Sequence, residues 1–426
     1  MDTKTTLCAV LFTGSLISAC ASPAKEIPTQ PATSPTTVPT RAPSNTPRPT
    51  STPTATPTPT ITLTPSITPT LSENFLTIGA GETIRIGYLL AESMELGIDS
   101  QRGIEVALDD AGRDLLGHPM ELIGYDTECN SLAAGRQARR LLIEPNLLGV
   151  IGTSCSRAAL GAAAVLAPAG VAMISPSNSD PDLTAVDSRP VTYFRTYPSD
   201  LVQARTVAEF AYSYLGATRM ATLSYFSERY SQHLKEAACQ ASPEVLFAIL
   251  SSPEAALVIQ EFRDIPGLEE ATLVVQELSF EPRLIELAGE TAVGVYLSRT
   301  AWEFDNSSDA YQTFLLGYSD RFGGQPTTAF HAYAYDATAL LLEAIRRAAI
   351  SQPDGSLLVD REAILAQLYA VEGFAGLTGS LTCAPNGDCA SDALGGLIYR
   401  IDSADPSTWN PGAGLSANPI QVWPQP

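Results

Sequence analysis

Between residues 84 and 297, short apolar runs alternate with stretches of helical period, and that alternation commits the chain to parallel strands joined by helical crossovers. Parallel neighbours cannot be joined by a tight turn, so each strand needs a return segment long enough to span the sheet. Strands are expected at 84–89, 120–125, 148–151 and 171–175, with helices at 101–111, 131–143 and 156–166 between them. In the first of these helices Ile104, Ala107, Leu108 and Ala111 fall on one face. A second series of strands, at 220–224, 245–250, 272–276 and 293–297, repeats the pattern. The economical architecture is α/β, with two doubly wound, Rossmann-like lobes. Helices then return at 308–321 and 329–350, and the closing segment 376–401 carries hairpin punctuation at Pro385-Asn386-Gly387-Asp388. In such sheets ligands gather at the carboxyl ends of the strands, which nominates the turns after strands for inspection.

The N-terminus has a different character. The apolar run 7–17 is too short to cross a bilayer and ends in Ser18-Ala19 ahead of Cys20, the pattern of a signal peptide rather than a membrane helix. It resembles a bacterial lipoprotein signal, which implies removal of 1–19, a lipid on Cys20, and a protein anchored to the membrane outside the cytoplasm. Its positive region is thin, with Lys4 and the N-terminus against Asp2; ordinary secretion with Cys20 incidental is the other reading. The segment 20–75 is dominated by Pro, Thr and Ser and has too little to bury to offset the entropy of ordering itself. It is expected to be a disordered linker, and about 50 residues at roughly 3.1 Å each reach on the order of 150 Å if fully extended. No second long apolar run follows, and 80–405 is long enough for two domains with real cores. The formal charge of −21 argues against nucleic acid or an anionic membrane surface as partner.

Several segments carry a resemblance, in order: Gly152-Thr-Ser-Cys155-Ser156, Met173-Ile-Ser175-Pro176-Ser-Asn-Ser179-Asp-Pro-Asp-Leu183-Thr184, Tyr193-Phe-Arg195, and Pro282-Arg-Leu-Ile-Glu-Leu-Ala-Gly289 leading into Gly294-Val-Tyr296. From Ile84 to Ile401 the chain resembles the periplasmic amino-acid-binding proteins of the leucine/isoleucine/valine type, the substrate receptors of ABC importers (periplasmic binding protein type I). The resemblance implies two lobes joined by three crossovers, a ligand in the cleft between them, and hinge closure on binding. Lobe 1 would hold 80–198 and 300–371, lobe 2 would hold 199–299 and 372–405, and 406–426 would be a tail.

The same resemblance assigns a site. Ser156, at a helix start, matches the serine that takes the ligand carboxylate, where a helix N-terminus also offers N–H groups and positive dipole; a serine there equally suits a plain N-cap. Ser177 and Ser179 match the next pair, one giving backbone and the other a hydroxyl, with a turn that satisfies itself as the alternative. Tyr230 matches a cleft-lining tyrosine that stacks on the ligand. Glu277 matches the acid that holds the ligand ammonium, and its place after the apolar run 272–275 suits a cleft position. Asp200 matches an aspartate near the first crossover, although a lone carboxylate on a loop is more often simply solvated. Leu96, before Gly97, falls at an apolar side-chain contact and would serve core packing as well. Cys129 and Cys155 align with a family disulfide. Cys383 and Cys389 flank the closing turn, where a local bridge is sterically reasonable. Zinc is the alternative for these four, but no His lies near either pair and the spacings match no zinc pattern. Cys239 is left as a thiol.

The chain also departs from the pattern. Only twelve residues separate Tyr230 from Pro243, where the family has about one further βα unit, on the order of 30 residues. Lobe 2 is therefore expected to be a narrower sheet with a new edge. Ser251-Ser252 stand where the family has an aromatic pair, so ligand identity is not inherited. An enzyme is not expected: His118, His233 and His331 are scattered, Gly152-Thr-Ser154-Cys-Ser156 lacks the second glycine of a nucleophile elbow, and no phosphate-cradling glycine motif opens a helix. No cofactor and no metal is expected. The function implied is capture of an amino acid or related small polar molecule by lobe closure and delivery to an ABC permease. The alternative is a tethered sensory or surface protein that keeps the fold without transport.

Overall fold

A computed structural model describes residues 8–11, 75–185, 189–224, 242–300, 308–390, 395–414 and 416–424, all within one compact unit. Cys20, most of the linker, Tyr230 and Cys239 lie outside the described residues.

The first lobe is built on a six-stranded sheet in the order Asp114–Leu115, His118–Asp126, Ile84–Leu90, Leu147–Gly152, Ala172–Ser175, Tyr193–Arg195, parallel except for its first strand. Continuous apolar runs form these strands because both faces are covered. Ile84, Ile86 and Leu90 pack on one face with Leu340, Leu341 and Ile345 of helix Phe330–Ala348. Leu89, Val150 and Met173 pack on the other with Ala138 of helix Ser131–Leu142 and Ala162 of helix Ser156–Leu166. These two helices approach closely: a Cβ on Gly161 would stand 1.9 Å from the Ser131 carbonyl. Phe75–Ile78, where the linker ends, joins a small antiparallel sheet with Leu357–Asp360 and Ile350–Ser351.

The second lobe is a seven-stranded sheet in the order Cys8–Leu11, Arg219–Ser224, Val245–Ile249, Thr272–Val275, Tyr296–Thr300, Gly396–Arg400, Ile420–Trp423. The first five are parallel, and Gly396–Arg400 runs antiparallel to both its neighbours. Leu246, Leu273 and Val275 face helices Ser252–Phe262 and Pro282–Ala288. Val245, Phe247 and Val274 face helix Asp200–Ser213.

Several expectations change. The strand expected at 293–297 forms at Tyr296–Thr300, after a turn at Gly294 with φ of 85°. The hairpin forms at Phe374–Gly376 and Gly379–Leu381 rather than around Asn386-Gly387. That hairpin and the turn after it pack with lobe 1, where Leu381, Cys383 and Cys389 join the core, although 372–405 was expected in lobe 2. Within the expected tail, Ile420–Trp423 is a strand, with Val422 and Trp423 packed against the apolar cluster around Phe210. Cys8–Leu11, inside the run read as an export signal, pairs with Arg219–Thr222; an edge strand with unpaired backbone groups accepts any extended apolar run.

Candidate ligand-binding site

In the first sheet the strand order turns back at Ile84–Leu90, which has a neighbour on either side. The crossovers after Ile84–Leu90 and Leu147–Gly152 therefore leave toward opposite sides and open a crevice at the carboxyl ends. Across it the Ala91 N–H donates to Ser154 Oγ at 2.9 Å. Gly152 has φ of 145°, and a Cβ there would stand 2.4 Å from the Leu89 carbonyl, so a side chain would close the crevice at its base. Helix Ser156–Leu166 starts four residues later. Its N-cap is Cys155, which is bonded to Cys129 (Cα–Cα 5.2 Å) and makes no side-chain cap. Ser156 is thus the first helical residue and not the cap, and its Oγ accepts from the Asp180 N–H at 3.3 Å. A helix start without a side-chain cap is the arrangement that leaves backbone donors to an anion.

The loop after Ala172–Ser175 is knit to this helix start. Ser175 Oγ donates to the Thr153 carbonyl at 2.9 Å and accepts the N–H groups of Ser177 (3.2 Å) and Asn178 (2.9 Å). Ser177 Oγ donates to the Ser154 carbonyl at 2.9 Å. The Ser179 carbonyl accepts from the Asp200 N–H at 2.9 Å. Asp200 itself opens helix Asp200–Ser213. Burial pushes its carboxyl up, against the opposing pull of the Ser179 hydroxyl and Arg195. Arg195, fully buried, holds the loop from behind: its guanidinium donates to Asp388, to the Asp180 carbonyl at 2.8 Å and to Thr184 Oγ1 at 2.8 Å.

The opposite end belongs to the second sheet. Glu277 follows strand Thr272–Val275 and is held from two crossovers: the Tyr197 hydroxyl donates to Oε1 and the Thr300 N–H donates to Oε2 at 2.8 Å. Burial raises the Glu277 carboxyl, while Thr300 and Arg299 oppose the shift. The Tyr197 ring is clamped by Phe330 and Tyr333, with centroids 5.4 and 4.9 Å away. Tyr197 touches the acid and Asp200 touches the serine loop, and the three peptide steps between their backbones reach at most about 10 Å. The structure therefore brings Ser156, Ser177, Ser179 and Asp200 together, and the Tyr197 hydroxyl ties Glu277 to the same crossover. Leu96 sits half-buried in the first turn of helix Glu95–Asp110, beyond the same crevice. Tyr197 and Thr300 were not singled out from sequence; Tyr197 lies between the quoted Tyr193-Phe-Arg195 and Asp200, and nothing in its own neighbours marks it. The Cys383–Cys389 bond closes the turn that carries Asp388.

A shallow pocket lined by Phe262, Arg263, Thr291 and Tyr296 lies at the amino-terminal end of strand Thr272–Val275, away from this chemistry. Among the described residues no group of three or more His, Cys, Asp or Glu is placed to hold a metal, and no helix is long and apolar enough to cross a membrane.

Two lobes with a site at their strand ends define the type I periplasmic binding protein fold. The chain matches the family described as periplasmic binding protein over residues 83–241 and 228–393, and it belongs to that family. The two matched stretches overlap at residues 228–241. Among solved structures, a leucine-binding protein of Thermotoga maritima is 23% identical, with a TM-score of 0.61 over 76% of this chain and 96% of that one. A branched-chain amino acid transporter substrate-binding protein of Streptococcus pneumoniae, in complex with isoleucine, is 19% identical, with a TM-score of 0.58 over 76% and 97%. An ABC transporter substrate-binding protein of Desulfitobacterium hafniense in complex with Leu is 18% identical, with a TM-score of 0.58 over 76% and 98%. No curated protein matches this chain.

Proposed function

We propose that this protein is an extracytoplasmic receptor, lipid-anchored through Cys20, that closes on an amino acid or related small polar molecule and hands it to the permease of an ABC importer. It acts by binding and not by catalysis. What supports the reading is a helix start without a side-chain cap and a serine loop, suited to a carboxylate, tied through the crossover at Tyr197 to a half-buried acid, Glu277, suited to an ammonium. Family membership and the amino acids bound by the solved relatives support it. In this reading Ser156, Ser177 and Ser179 receive the carboxylate, Glu277 the ammonium, and Tyr230, Asp200 and Leu96 line the remainder of the cleft. The Pro/Thr tract, far longer than a lipid anchor needs, favours a second reading as a tethered sensor; uptake by cells lacking the gene separates the two.

Thermal unfolding of the mature chain against a panel of amino acids tests the binding claim. A ligand at 100 times its Kd adds about 2.7 kcal/mol and raises the Tm. A selective rise that Ser156→Ala or Glu277→Ala abolishes is expected. A cooperative melt that no panel member moves would overturn the amino-acid reading.

A further inference from the structure

Helix Asp200–Ser213 covers one face of the second sheet, where Val207, Phe210 and Ala211 pack on Val245, Phe247 and Val274. One turn before Val207 the layer changes character at Gln203, which is 3% exposed. On the sheet the same change comes two residues after Val274, at Gln276, 4% exposed and on the Val274 side by strand alternation. Thr300, fully buried, links this layer to the acid: Gln203 Nε2 donates to Thr300 Oγ1 at 3.4 Å, and the Thr300 N–H donates to Glu277. The amide oxygens of Gln203 and Gln276 are both buried without a hydrogen-bond partner. The apolar layer thus ends, at the carboxyl ends of the strands, in two unpaired acceptors beside a carboxylate. Buried acceptors are nearly always paired, and two bare ones in a single layer call for a donor that the described residues do not provide.

We infer that Gln203 and Gln276 are ligand-binding residues that accept hydrogen bonds from the nitrogen end of the ligand, while Glu277 takes its charge. The inference rests on the amino-acid reading above and adds its selectivity. A primary ammonium carries three donors and satisfies all three groups. An N-methylated amine has one donor fewer and leaves an amide oxygen bare, so it is rejected.

The test compares the mature wild type with Gln203→Met and Gln276→Met, which keep the side-chain length and remove the amide. Calorimetric titration uses L-leucine and N-methyl-L-leucine, and each protein is also melted without ligand. The wild type is expected to favour L-leucine at least about tenfold. Each variant should lose about that much affinity for L-leucine and most of the discrimination. Its ligand-free Tm should rise, because a bare buried acceptor has been removed. Unchanged affinity and discrimination would overturn the inference. So would a ligand-free Tm that falls in both variants, since the amides would then be holding the fold together. A wild type that binds neither probe removes leucine as the ligand, and the ligand-free melts then decide this inference by the same rise or fall.

Discussion

The two lobes bring differently built sheets to the same site. In the first, Ile84–Leu90 sits between two parallel neighbours, so the chain reverses direction there and two crossovers part to make a crevice. In the second, the parallel strands run in one direction from Arg219–Ser224 to Tyr296–Thr300, with no reversal among them. The first lobe accordingly presents a loop whose hydroxyls and carbonyls satisfy one another. The second presents a strand end with a half-buried acid and, between that strand end and the helix Asp200–Ser213 packed on it, two bare amide oxygens. On the proposed reading, the contrast means that the carboxylate end of the site is preformed by the protein alone, whereas the nitrogen end is completed by what binds.

The sharpest way to break that comparison is to remove the support of the preformed end. Arg195→Ala strips the buried partner from Asp388, Thr184 and the Asp180 carbonyl. It should cost about 3–5 kcal/mol in urea unfolding. Arg195→Lys should recover only part of this, because an ammonium lacks the planar fork. A loss below about 1 kcal/mol would mean that the serine loop does not depend on this hub.

A smaller effect is expected at Asp336, which accepts from Leu377 N–H at 2.7 Å and Thr378 N–H at 2.9 Å and so ties the hairpin to helix Phe330–Ala348. Burial lifts its carboxyl from 3.8 to about 6, against the pull of the Thr378 and Leu377 hydrogen bonds. The folded state therefore holds the proton more tightly than the unfolded one. Stability should decline by up to about 3 kcal/mol as pH rises from about 4 to about 6, and level off above. Asp336→Asn should flatten that slope and lower stability at acid pH by about 1–3 kcal/mol, because an amide nitrogen then faces a donor. An unchanged slope in urea midpoints across that range would remove Asp336 from the account.

Much of the fold was legible because burial on both sheet faces writes continuous apolar runs, and 84–89, 148–151 and 171–175 became strands with ends shifted by only a residue. Helix Glu95–Asp110 begins six residues before the expected 101, since Glu95-Leu-Gly97 carries no apolar period. The hairpin was misplaced because its turn is set by Asp336, 41 positions away from Leu377, while Pro385-Asn386-Gly387-Asp388 is a turn closed by a disulfide. Ile420–Trp423 lies between Pro419 and Pro424 and reads as tail; Trp423 earns its place against Phe210 and Tyr214. For the candidate site, the resemblance singled out Ser156 and Glu277. It was silent at Tyr197 and Gln203, whose partners Phe330 and Thr300 are remote in sequence.

The most direct measurement is the affinity for L-leucine, from about pH 8 down to about pH 4, in the wild type and in Glu277→Gln. Because burial raises the Glu277 carboxyl, the account predicts that wild-type affinity falls as pH drops through a value above the ordinary carboxylate range. Ligand-free stability from the same group should move the opposite way, rising as the proton is taken up. Glu277→Gln should bind weakly and lose the acid limb. Equal affinity and an identical pH profile in the two proteins would contradict the claim that this half-buried acid completes the site only when a cationic nitrogen arrives.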